Sequence, residues 1–257
     1  MKKVVFLILS LLLLSVGFVS AQNKEMDPEA AKLYNSGNKM LKSGNYEGAI
    51  EDYSKALEIS QDYRIYYQQG IAYKKLRKFD KALESFHKCL EANPEFTIVY
   101  NSLGTTYYAK GDYLKAIEYF TKFEESVKKP KLKKRAKKYI SLAYTKLGDK
   151  EARDKNYKKA IEYLEKAVEA YNYDAAYLKL ADAYIEMGEY QKALEAADNA
   201  IKYRSKKSKV PKGAPYFYKG LAYKGLKDKA NAKQNFVIAS KDKLYRDRSK
   251  HELKYLN

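Results

Sequence analysis

The residue types on which much protein chemistry rests are nearly missing from this chain of 257 residues, which has one cysteine and two histidines. A single thiol, Cys89, excludes any internal disulfide. His87 and His251 lie far apart in sequence and fall short of the three or four ligands that a metal site needs. There is no glycine-rich phosphate loop, no zinc-spaced Cys/His set and no Gly-x-Ser-x-Gly turn. Acidic pairs such as Glu124–Glu125 are expected on helix surfaces, where a carboxylate is ordinarily just solvated. These absences argue against an enzyme and imply no cofactor.

Long hydrophobic runs are also scarce. The one present, Val4 to Val19, follows Lys2 and Lys3 and ends in Val19-Ser20-Ala21. A short basic start, an apolar stretch too short for the ~20 residues of a membrane span, and small residues at its end read as a secretory signal peptide over residues 1–21. Cleavage after Ala21 would leave Gln22 first and no transmembrane span in the mature chain. No cysteine follows the run, which excludes a bacterial lipid anchor there. Residues 22–29 are expected to be a short linker, with Pro28 suited to a first helical turn. The chain is therefore expected to be exported, periplasmic or secreted, and bacterial.

Negative charge is in deficit. Lys and Arg number 51 against 32 Asp and Glu, a net of +19. Removing Lys2 and Lys3 leaves +17, and the remainder is uneven: residues 22–133 carry 19 basic and 16 acidic residues, residues 134–257 carry 30 and 16. The densest stretch is Lys128–Lys159, including Lys128, Lys129, Lys131, Lys133, Lys134 and Lys137. A second cluster, Lys202–Lys212, includes Lys206, Lys207 and Lys209. The bland reading is a lysine-rich solvated surface. The functional one is attraction to an anionic envelope component such as lipid head groups or wall polymer. Nucleic acid is not an expected partner of an exported chain.

What the sequence has in abundance is one repeated phrase. Gly111-Asp-Tyr-Leu-Lys-Ala116 has near copies ending at Ala49, Ala82, Ala160 and Ala193, and a worn one at Ala232. Upstream of each sits a small residue, Gly37, Gly70, Gly104, Ser141, Ala181 or Gly220. Three residues after it comes Met40, Tyr73, Tyr107, Tyr144, Tyr184 or Tyr223. Four residues beyond the alanine there is usually an aromatic (Tyr53, Phe86, Phe120, Phe236), and seven beyond mostly a small residue. Spacings of three, four and seven mark one face of a helix. Small residues let two antiparallel helices approach, and aromatics fill the space beside them. Most of the 27 tyrosines are then packing residues.

The pattern resembles the tetratricopeptide repeat, a helix–turn–helix unit of about 34 residues. The resemblance covers about Ala30 to Arg246, although the family tryptophan is absent throughout and only Pro94 holds the closing proline position. It implies an all-α, right-handed superhelical solenoid of about six repeats (30–62, 63–96, 97–130, 134–174, 174–207 and 213–246) with a short C-terminal cap over residues 247–257. A non-catalytic scaffold binding a protein or peptide segment along its concave face is the implied function.

In this family the first helix of each pair lines that face. The resemblance therefore assigns the groove to Tyr34, Asn38 and Lys42 in the first repeat, Arg64, Tyr67 and Lys74 in the second, and Asn101 and Tyr108 in the third. Arg135 and Lys138 represent the fourth, and Phe217 and Lys224 the sixth. The family's two-carboxylate clamp is not expected, because its positions here hold Tyr34, Asn38, Gln68, Ile98 and Ser102, and only Asn38 agrees. The step from Ala116 to Ala160 is ten residues too long. Part of the excess is expected near Lys129-Pro130-Lys131 and seven residues between Gly148 and Tyr157, either as a charged loop or as an early start to the second helix.

Overall fold

The computed structural model describes residues 25–256; the signal-peptide reading and residues 22–24 of the linker lie outside the described residues. Thirteen α-helices and no strand occur among the described residues. They are α1 (Pro28–Ser43), α2 (Tyr46–Ile59), α3 (Tyr63–Lys75), α4 (Phe79–Ala92), α5 (Ile98–Lys110) and α6 (Tyr113–Ser126). Then follow α7 (Pro130–Arg153), α8 (Tyr157–Ala170), α9 (Asp174–Glu186), α10 (Tyr190–Lys202), α11 (Ala214–Gly225), α12 (Lys229–Ala239) and α13 (Arg246–Lys254). No helix among them is long and apolar enough to cross a membrane.

Local signals start and stop these helices. Asp27 caps α1 by accepting from the backbone N–H groups of Glu29 and Ala30, with Pro28 in the first turn. Inside every repeat the first helix ends on a residue with positive φ: Gly44, Arg77, Gly111, Lys155, Gly188 and Lys227. The next N–H folds back to a carbonyl of the helix just ended, as from Asp112 to Tyr107 (3.0 Å) and from Asn156 to Glu151 (2.9 Å). Glycine takes the left-handed conformation freely; at Arg77, Lys155 and Lys227 the surrounding turn imposes it.

The helices pair as the repeat pattern requires. In four pairs a glycine of the first helix lies under a large side chain of the second. A Cβ added at Gly37, Gly70, Gly104 or Gly220 would stand 2.6–2.7 Å from the ring of Tyr53, Phe86, Phe120 or Phe236. Those rings are fully buried, as are Ala49, Ala82, Ala116, Ala160, Ala193 and Ala232. Each hairpin covers the apolar face of the next, so the core runs along the stack in successive clusters.

The fourth repeat corrects the sequence reading. The residue under Leu164 is Gly148, where a Cβ would lie 2.6 Å from Leu164 Cγ, and not Ser141. Lys155, the positive-φ residue, follows Gly148 by seven residues, just as Gly111 follows Gly104. Nothing is therefore inserted between Gly148 and Tyr157. The whole excess is added at the start of the first helix, which makes α7 24 residues long. Ser141 mimics the crossing residue because seven residues make almost two helical turns and return to the same face. The N-terminal part of α7 serves the preceding repeat. Tyr139 stacks on Phe120 at 4.9 Å, and Ile140 joins the core of repeats two and three. Gly148→Leu is expected to cost about 1–3 kcal/mol or more by overpacking, whereas Ser141→Ala should cost under about 1.5 kcal/mol, the worth of one hydrogen bond. Urea unfolding of both variants checks this, and a reversed ranking would reject the register.

Residues 240–245 form turns, and α13 then closes the last core with Leu253 and Leu256. Cys89 is fully buried, and burial pushes its thiol up to about 12, so it acts as a packing residue.

Candidate functional site: the concave face

Successive first helices touch one another, α1 with α3, α3 with α5, α7 with α9 and α9 with α11. They form the inner wall of the curve, and the second helices form the outer one. Among the described residues no contact of that extent joins α5 to α7. The step from α5 to α7, where α7 carries its added turns, is packed less closely than those from α7 to α9 and α9 to α11, and is called the parting below.

A cavity of about 190 Å³ opens at the parting. Tyr108 of α5 lines it, with Leu142, Thr145, Lys146 and Asp149 of α7, and Tyr173, Ala175 and Lys179 from the start of α9. Tyr108 is half-buried and packs edge-on against Tyr113 at 5.3 Å. Burial, and the nearby hydroxyls of Tyr113 and Tyr173, push its pKa upward. A second cavity of about 180 Å³ adjoins it between α7, α8 and α9. Asp149 stands at both, 2.6 Å from Arg153 and 2.6 Å from Lys179. Burial opposes its charge, but the hydrogen bond and charge of Lys179, aided by Arg153, hold its carboxyl below the ordinary range. Asp182 lies deeper. Burial raises its pKa against the charge of Lys179, and Glu186 adds to the rise.

On the N-terminal side of the parting stands Lys74, half-buried, with its ammonium on the hydroxyl of Thr105 of the next inner helix. Burial first, then the positive charges of Lys75 and Arg135, lower its pKa from the ordinary value to about 8. The folded pKa is the depressed one. The charged ammonium thus costs the fold stability below pH 8, and the cost fades as pH rises from there towards the ordinary lysine value. Nearby on α5, Asn101 keeps a buried Oδ1 with no hydrogen-bond partner.

The groove residues expected from sequence divide into three groups. Lys74 on α3 and Tyr108 on α5 stand on the N-terminal side of the parting, and Arg135, on the added turns of α7, lies over the Tyr139 ring at 5.6 Å and adds positive charge near Lys74. Others serve the fold. Tyr34 leans on Tyr53, and Asn38 accepts the Tyr53 hydroxyl at 2.8 Å. Arg64 is paired with Asp62 at 2.6 Å, and Tyr67 lies between Phe86 and Phe96 and accepts from Ser102. Lys42 and Lys138 are exposed at a helix end and on the extension.

The third group is corrected. Phe217 is 2% exposed, covered by Tyr245 and by the Arg248 guanidinium 4.4 Å above its ring. Lys224 is paired with Glu252 at 2.6 Å. Both face α13, which fills the place of a seventh first helix, so neither lines an open groove. With Gly148 as the crossing residue, Arg135 and Lys138 also fall outside the fourth repeat's own lining, which passes to Leu142, Thr145 and Asp149. The sequence reading missed Tyr173 and Lys179 as cavity residues; Tyr173, placed directly before α9, was the available signal.

The two basic clusters occupy separate elements. Lys131, Lys133, Lys134 and Lys137 are exposed on the first turns of α7, just after Lys128 and Lys129, and Lys137 meets Glu124 at 3.6 Å. Lys206, Lys207 and Lys209 lie in the loop before α11, which Ser208 ties to Asp174. Among the described residues no three His, Cys, Asp or Glu side chains converge as metal ligands.

Family models agree with this geometry along most of the stack. Tetratricopeptide-repeat models match residues 63–96, 152–208, 98–126 and 140–162, and a TPR-repeat model matches 37–77. The chain belongs to the tetratricopeptide-repeat proteins. MamA from Desulfovibrio magneticus RS-1, residues 41 to the end, superposes with a TM-score of 0.51 at 21% identity, over 72% of this chain and 100% of that one. A double mutant of MamA RS-1 gives 0.51 at 20% identity, over 70% and 96%. The pilF protein of Pseudomonas aeruginosa gives 0.48 at 20% identity, over 89% and 100%. For the two MamA structures, at these identities, the likeness is one of fold. Comparison with curated protein sequences gives no match. A tetratricopeptide-repeat fold is a protein-interaction scaffold, and the family matches indicate no enzyme.

Proposed function

We propose that this chain is an exported scaffold that binds a protein or peptide segment along its concave face and so tethers or helps assemble a complex of the cell envelope. The observation that carries the reading is the aromatic-lined cavity between α5, α7 and α9. A partner side chain entering the Tyr108 cavity would meet aromatic and aliphatic surface, rimmed by Lys146, Lys179 and Asp149 that can grip a backbone or a polar group. Export rests on the pattern of residues 1–21. The rival reading, docking on anionic lipid or wall polymer through the basic stretches Lys128–Lys159 and Lys202–Lys212, has exposed charge behind it but no shaped site.

Salt separates the two. Native protein purified from the envelope fraction should begin at Gln22 by mass spectrometry; a retained Met1 would refute export. The same material should hold its partner at high salt even when Lys133, Lys134, Lys137 and Lys138 are all reversed to Glu, because exposed charge chiefly governs association rate. Loss of all binding in that variant, or in wild type at moderate salt, would favour the anionic surface instead.

A further inference from the structure

Repeats two and six carry a lysine at the same place, four residues after the crossing glycine: Lys74 after Gly70 and Lys224 after Gly220. Each reaches towards the next inner helix. Lys224 finds a carboxylate there, Glu252 of α13, at 2.6 Å. Lys74 finds only the Thr105 hydroxyl, which already donates to the Ser102 carbonyl at 3.1 Å. On the outer surface the lysines of α2, α4 and α6 are likewise paired one turn back, Lys55 with Glu51, Lys88 with Glu84 and Lys122 with Glu118. Among the described residues no carboxylate pairs with Lys74 or Arg135.

The local field makes the vacancy more pointed. Arg135, delivered by the added turns of α7, bears on Lys74 from the far side of the parting with the same sign of charge. Arg135 itself is exposed, and a half-buried ammonium with a like charge nearby gains from an anion brought to it. A buried cation without its counter-ion is costly for a fold to keep.

We propose that Lys74 and Arg135 together receive an acidic side chain, Asp or Glu, of the segment that occupies the concave face. This rests on the groove reading above and adds to it the chemistry of the occupant: an acidic peptide whose carboxylate supplies to Lys74 what Glu252 supplies to Lys224. The site lies on α3 and α7, apart from the clamp positions that the sequence comparison set aside.

The test uses mature protein, residues 22–257, against two matched arrays of short synthetic peptides of randomised neutral sequence. One array carries a central glutamate and the other glutamine in its place. Wild type is expected to retain glutamate peptides about tenfold or more tightly than their glutamine twins, the usual worth of a charge-assisted hydrogen bond. Lys74→Met should erase that preference and Arg135→Met should weaken it, read as the ratio of glutamate- to glutamine-peptide binding within each variant. Thr105→Glu should also erase it, by giving Lys74 an internal carboxylate; since it removes no cation, it shows that the ammonium must be unpaired. Equal binding of both arrays, lost in Tyr108→Ala, would overturn this inference and leave the groove reading standing. A preference that survives Lys74→Met but vanishes on reversing Lys133, Lys134, Lys137 and Lys138 would overturn it in favour of the exposed basic surface. Binding of neither array would count against both readings.

Discussion

Replacing Phe120 with alanine is expected to destabilise the protein by about 3–5 kcal/mol, among the largest single-residue effects in the fold. Phe120 is fully buried, its ring lies over Gly104, and Tyr139 of α7 stacks on it at 4.9 Å. The ring therefore joins α5, α6 and the added turns of α7, and its loss leaves a void that glycine on one side cannot fill. Because neighbouring repeats hold each other in place, the damage should reach beyond the third repeat. Urea unfolding followed by circular dichroism should show a large fall in midpoint, with a broadened transition if the two halves uncouple. A loss below about 1 kcal/mol would mean that α7 does not seat on α6 as described.

The second large effect falls on binding. Changing Tyr108 and Tyr173 together to alanine removes the aromatic lining on two sides of the cavity between α5, α7 and α9. Desolvated aromatic anchors are worth about 2 kcal/mol or more each, so affinity for the partner should fall roughly a thousandfold. Both tyrosines are only half-buried, so the helical signal should change little, while the unfolding midpoint should fall modestly because Tyr108 also packs against the core of repeats two and three. Tyr67, by contrast, is a poor choice for such a test. It lies between Phe86 and Phe96, and its truncation would disturb packing and binding together.

Much of the architecture was legible in the sequence because the repeat writes its constraints several times. The small residue under an aromatic, the left-handed turn and the buried alanine each recur in phase, so a single worn copy does no harm. The fourth repeat shows where this fails. Ser141 and Tyr144 repeat the spacing of Gly104 and Tyr107, but one helical face looks the same when slid by seven residues. Only the turn at Lys155 and the contact of Gly148 with Leu164 fix the register. The concave face was legible as a set of positions and not as a site. Whether a first-helix residue is open depends on what the next inner helix places opposite: Thr105 before Lys74, Glu252 before Lys224, Tyr245 and Arg248 over Phe217. Those partners come from other repeats, and periodicity within one repeat does not report them. The parting at α7 is likewise a consequence of length added to one helix, which the sequence showed as an excess without showing where it would go.

The central claim, that a partner segment lies in the concave face at the parting, is tested most directly by photo-cross-linking in cells. A photoreactive phenylalanine analogue would be placed at position 108, inside the cavity, and in a second strain at position 114, exposed on the outer helix α6. The account predicts discrete cross-linked products from position 108 that mass spectrometry maps to one segment of a partner protein, and none from position 114. Products from position 114 with none from position 108, in a chain that folds normally, would contradict it.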